Sequence, residues 1–166
     1  MHAKQAYRNR QGGAVYLFVI FAIAVSGVLL AGFGQVWATA ARREKEVQLL
    51  HVGNAYRQAI ASYYAATPGE QKQFPQTLND LLLDKRFPYV RRHLRHLYPD
   101  PMSGQANWGL IREQGRIVGV YSTDMRKPIK QGGFDAREKM PEKAENYQDW
   151  KFIGRDLAPG LPGQAI

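Results

Sequence analysis

The stretch Gly12-Gly13-Ala14-Val15-Tyr16-Leu17-Phe18-Val19-Ile20-Phe21-Ala22-Ile23-Ala24-Val25-Ser26-Gly27-Val28-Leu29-Leu30-Ala31-Gly32-Phe33-Gly34-Gln35-Val36-Trp37-Ala38 decides the fold. No side chain from Gln11 to Ala41 is charged, and Lys4, Arg8 and Arg10 stand immediately before it. A bilayer core about 30 Å thick needs roughly 20 apolar residues at about 1.5 Å rise each. Residues 14–38 meet that length with only Ser26 and Gln35 as polar interruptions. The reading is a basic leader over 1–13 and a transmembrane helix over 14–38.

Beyond the apolar run the helix is expected to continue over 39–66, a span free of Pro with Gly53 as its one glycine. Leu49, Val52, Tyr56, Ile60 and Tyr63 recur at three- and four-residue spacing and share one face. An aromatic stripe of this kind reads as a packing surface rather than a ligand site. Thr67-Pro68-Gly69 stops the helix. The two halves together predict one helix of roughly 50 residues, near 75 Å.

Residues 67–155 read as a small α+β ectodomain. Thr77 with Asp80 three residues on has the form of a capping box for a short helix through Leu78, Leu81 and Leu82. Trp108–Arg112 and Arg116–Tyr121 flank Glu113-Gln114-Gly115 as the two arms of an antiparallel hairpin. Asn146–Ile153 alternates apolar and polar residues and is expected to add a third strand. The tail 156–166, with Pro159, Pro162 and two glycines, reads as disordered.

The most basic stretch is Val90-Arg91-Arg92-His93-Leu94-Arg95-His96-Leu97. Leu94 and Leu97 are expected to point inward. Arg91, Arg92 and Arg95 form a weak candidate anion site for lipid headgroups or DNA phosphates, against a plain solvated face. The His93/His96 spacing would suit a metal on a helix, but the three arginines repel a cation. No metal site is assigned and no cofactor is implied. The chain has no cysteine, which removes disulfides, thiolate nucleophiles and Cys-based metal sites. Its net charge of +9 favours anionic partners without choosing among them. None of Ser26, Ser62, Ser103 and Ser122 lies in a Gly-x-Ser-x-Gly elbow, and no phosphate-binding glycine loop is present, so no enzyme is expected.

A basic leader ending in glycine, a long apolar helix running into an amphipathic half, and a small sheet together resemble the type IV pilins and the type II secretion pseudopilins. Tyr98-Pro99-Asp100-Pro101-Met102-Ser103-Gly104, followed by Trp108 and the hairpin, is similar to the Asp-Pro turn of the major pseudopilins. Gln131-Gly132-Gly133-Phe134 falls where that group has a glycine pair. The resemblance implies cleavage by a prepilin peptidase at Gly12, Gly13 and Ala14, although the glycine pair also suits a flexible helix start. Cleavage as a secretory signal at Ala38-Thr39-Ala40 fits less well, because the apolar region before it exceeds the about 7–15 residues such signals use.

Two departures from the family pattern stand out. The usual Glu five residues after the cleaved glycine is replaced by Phe18, or by Leu17 if cleavage follows Gly12. That loss removes a carboxylate which is costly in lipid unless paired, and with it a registration device. It implies a minor or initiating subunit, or a divergent branch. The loop where major pseudopilins hold calcium reads Ser122–Lys130, with Asp124 as its one carboxylate among three cations. Asp124 and Asp100 therefore read as turn residues.

The fold class expected is thus α+β and pilin-like, a long N-terminal helix packed on a small antiparallel sheet. The function expected is a subunit stored in the inner membrane, N-terminus cytoplasmic and ectodomain periplasmic, then packed into a filament. The partners would be other pilin-like subunits, a prepilin peptidase, the assembly platform and the membrane. Ala22, Ser26, Gly27 and Ala31, small and four apart in pairs, suit close helix packing. Ordinary membrane-helix composition would look the same. The alternative is a bitopic protein whose basic external domain binds DNA or anionic lipid.

Overall fold

The computed structural model describes residues 12–134 and 140–157, with the backbone alone for residues 12 and 28–35. The leader up to residue 11 and the tail from residue 158 lie outside the described residues, as do the side chains in the middle of the expected span. One α-helix, α1 (Gly12–Ala65), carries 54 residues. Among the described residues no helix is long and apolar enough to cross a membrane. The chain divides into two units, Met1–Ala41 and Arg42–Ile166, with the boundary inside α1.

In the first unit the described side chains bury nothing. Val15, Tyr16, Leu17, Phe18, Val19, Ile20, Phe21, Ile23 and Val25 are all exposed. Apolar residues at successive positions put greasy surface all round the helix rather than on one stripe.

The second unit is an α+β domain. Leu49, Tyr56 and Ile60 are wholly buried and Tyr63 nearly so, while Val52 is half-buried; this is the stripe read from the sequence. Each such side chain contributes about 1.5–3 kcal/mol of burial. Against this face lies a three-stranded antiparallel sheet, β1 (Gly109–Glu113), β2 (Arg116–Tyr121) and β3 (Lys151–Ile153), in the order β1-β2-β3. Gln114 and Gly115 make the two-residue hairpin turn, both at positive φ (49° and 79°). That geometry suits the right-handed strand twist and favours glycine. Val120 pairs with Phe152 in register, and Phe152 reaches α1 at Gly53, where a Cβ would collide with the ring. Gly53 is the contact that lets the sheet approach the helix.

The third strand is shorter than the alternation at 146–153 suggests. Asp149 Oδ2 accepts the N–H groups of Glu145 (2.9 Å) and Asn146 (3.1 Å), winding Tyr147–Asp149 into a 3-10 turn before β3 begins. Local side-chain bonds of this kind outcompete a ladder. Asp80 does the same for Gln76 and Thr77, so the short helix over Leu78–Leu81 is a single 3-10 turn. Another 3-10 turn, Gly154–Leu157, takes the first two residues of the expected disordered tail.

The Asp-Pro turn is fastened at both ends. Asp100, fully buried, accepts Met102 N–H on Oδ1 (2.9 Å) and Ser122 Oγ–H on Oδ2 (2.7 Å). Tyr56 of α1 bonds the Tyr98 backbone twice, donating to its carbonyl (3.0 Å) and accepting its N–H (2.9 Å). Burial pushes the Tyr56 hydroxyl up to about 12, so it stays protonated and donating.

Candidate functional site

The residues singled out from the sequence fall in three places. Gly12, Gly13 and Ala14 open α1, and a Cβ on Gly13 would meet nothing within 4 Å. Ala22 and Ser26 are exposed and bonded to each other, Ser26 Oγ donating to the Ala22 carbonyl at 2.7 Å. Gly27 is equally open, and Ala31 lies among the residues described by backbone alone.

Arg91, Arg92 and Arg95 belong to the second unit, on a loop rather than a helix. Asp84 N–H donates to the Arg91 carbonyl (2.9 Å), and the Leu81 carbonyl accepts from both His93 and Leu94 (2.9 Å each). These bonds close residues 84–91 into a compact projection. Leu94 is buried, but Leu97 is 36% exposed, contrary to the expectation that both point inward. Arg92 and Arg95 face solvent, and Arg91 lies over the Phe87 ring at 4.6 Å.

The loop is held from beneath by a cluster that periodicity does not reveal. Asp84, with a fully buried side chain, accepts from Arg86 on both oxygens, Nε to Oδ1 at 2.8 Å and Nη2 to Oδ2 at 2.6 Å. The same guanidinium donates to the Tyr63 carbonyl (2.9 Å) and Thr67 Oγ1 (2.7 Å) and lies 3.6 Å over the Tyr63 ring. His93 bridges Asp84 Oδ2 (3.3 Å) and Ser62 Oγ (2.8 Å). Burial works to raise the Asp84 carboxyl, but the hydrogen bonds from Arg86 and His93 win and hold it at about 2. Burial lowers His93 below its ordinary value, against the pull of Asp84.

Ser62, His93 and Asp84 form a chain that superficially resembles a nucleophilic relay. Arg86 already engages both Asp84 oxygens, which weakens that carboxylate as a support for a protonated imidazole. The arrangement ties a loop to a helix. His96 takes another direction altogether, its ring 4.0 Å from Tyr98.

At the other end of the domain helix lies a second buried acid. Glu46, 3% exposed, accepts Ile129 N–H (2.6 Å), Lys130 N–H (3.3 Å) and the Tyr147 hydroxyl (2.8 Å). Burial, and then the bond to Glu46, raise Tyr147 to about 12. Arg42 donates to the Lys127 carbonyl on the same loop at 3.1 Å. The signal was available: Glu46 stands three residues before Leu49, on the apolar stripe, where a charge needs buried partners. Asp124 is a turn residue as read, accepting Arg126 N–H (2.8 Å) and paired with its guanidinium at 2.5 Å. That hydrogen bond holds the Asp124 carboxyl below its ordinary range.

The carboxylates of Glu46, Asp84, Asp100 and Asp124 thus all have protein donors already. No protein-family model, curated protein or solved structure matches the chain.

Proposed function

We propose that the chain is a pseudopilin-like subunit, non-enzymatic, stored in a membrane by the first part of α1 and assembled laterally into a filament. What supports the reading above all is α1 itself: one helix from Gly12 to Ala65, apolar on every described side in its first part and serving as the spine of an α+β domain in its second. An apolar helix surface with no covering of its own calls for lipid or other helices. The small residues Ala22, Ser26 and Gly27 offer close approach there. The missing Glu suits a subunit that needs no registered charge pair, a minor or initiating one.

The test is the intact mass of the protein purified from membranes that also contain a prepilin peptidase. A mature form beginning at Ala14, methylated on its amino terminus, is expected. A full-length mass sinks the processing step, and a product beginning at Ala41 makes the chain a secreted one. Independently, Gly27→Glu is expected to abolish co-purification with other pilin-like subunits.

A further inference from the structure

We propose that the projection formed by residues 83–97 is a docking surface for single-stranded nucleic acid, gripping its phosphates with Arg91, Arg92 and Arg95 and stacking a base on Tyr89. Charge is the first argument. Between Leu81 and Asp100 the sequence has one internal carboxylate, Asp84, which is buried and consumed by Arg86; Asp100, at the boundary, is buried as well. Lys85, Arg92 and Arg95 are exposed and Arg91 half-exposed, so the projection presents one sign of charge. Guanidinium forks match phosphate oxygens in pairs, which a lysine cannot do.

The aromatic faces are the second argument. Tyr89 is 60% exposed, its ring 5.4 Å from Phe87, and Arg91 lies on that same Phe87. An exposed ring beside a set of guanidinium forks fits a polymer that carries both planar bases and phosphates. The third argument is rigidity. The backbone closure between Asp84 and Arg91, with the Arg86 and His93 bonds below it, holds these groups in place before any partner arrives.

A lipid surface is the weaker match. The projection packs against the end of α1 at Ser62 and Tyr63, and against Thr67 just beyond it. That is about 30 Å along the helix from Arg42, where the folded domain starts. A polymer arriving from solvent reaches it directly. The charge, ring and closure observations use only the second unit, while the preference over a lipid surface rests on the membrane reading of α1 proposed above.

The experiment is fluorescence anisotropy of a labelled single-stranded oligonucleotide with the full chain in neutral detergent micelles. Binding is expected at low salt, weakening about 20-fold between about 50 and about 200 mM salt if three phosphates are held. Arg92→Gln/Arg95→Gln, both at exposed positions, should reduce affinity at least about tenfold with an unchanged melting temperature, and adding Arg91→Gln should reduce it further. Tyr89→Ala should cost about tenfold. Arg43→Gln/Lys45→Gln, on exposed helix positions, should leave binding intact. No binding by the wild type at low salt overturns the proposal. So does a double variant that binds as the wild type does, or one that loses only its hold on phosphatidylglycerol vesicles.

Discussion

Glu46 and Asp84 are both buried acids that pin a loop to the domain half of α1, one near each end, yet they are satisfied in opposite ways. Asp84 faces a guanidinium and an imidazole, so its charge is compensated. Glu46 accepts two backbone N–H groups and a phenol, so its hydrogen bonds come from neutral donors. The first is an ion pair whose loss strands a cation. The second is a set of dipoles whose loss strands ordinary polar groups. The same helix therefore carries one pin built on charged partners and one built on neutral donors.

Substitutions can separate them. Asp84→Ala leaves Arg86 and His93 facing each other without their anion, and a loss of about 3–5 kcal/mol is expected from denaturant melts. Glu46→Ala orphans Ile129 N–H, Lys130 N–H and the Tyr147 hydroxyl; a loss of about 2–4 kcal/mol is expected, and Glu46→Gln should recover part of it by keeping one oxygen. A full recovery by Gln would mean that the negative charge contributes nothing. Gly53→Ala should cost about 1–3 kcal/mol by pushing Phe152 off the helix, a loss the melt would miss only if β3 can shift.

Acidity probes the Asp84 pin. Asp84 is held at about 2, below its ordinary 3.8, and its stabilisation is present above the ordinary value and lost as pH falls through the lower one. His93 is also lowered, from 6.5, so the unfolded chain takes up its proton first. Its contribution is likewise present above 6.5 and fades as pH drops. Melting temperature should therefore decline from neutral pH downward, and His93→Gln should flatten the part of the decline nearest 6.5. The smallest effect lies at the hairpin turn. Gln114 at φ 49° occupies a turn position suited to Asn, and Gln114→Asn should add about 0.5 kcal/mol.

The regular parts were legible because periodicity reports burial. The Leu49–Tyr63 stripe and the hairpin at Gln114-Gly115 follow from spacing and turn chemistry alone. What escaped was polar. Asn146–Asp149 alternates like a strand, but Asp149 turns back on its own backbone, a choice that alternation does not encode. His93 was singled out only by its spacing to His96, and its partners, Ser62 and Asp84, lie 31 and 9 residues away. Glu46 was legible in principle, as a charge on an apolar stripe. Its partners were not, because they arrive from segments that periodicity does not align. The arginine loop was found by composition, while its shape came from backbone bonds around Leu81 and Asp84.

Glu46 has a further consequence, in time rather than space. Its hydroxyl partner, Tyr147, is 101 residues further along the chain. A ribosome adding about 5–20 residues per second delivers that partner roughly 5–20 s after the glutamate has emerged. Until then the carboxylate has no phenol to meet and the apolar stripe beside it has no Phe152. A chain broken off before Tyr147 lacks the phenol donor to Glu46 and the Phe152 ring at Gly53. The last residues to leave the ribosome are therefore the ones that complete the core on α1.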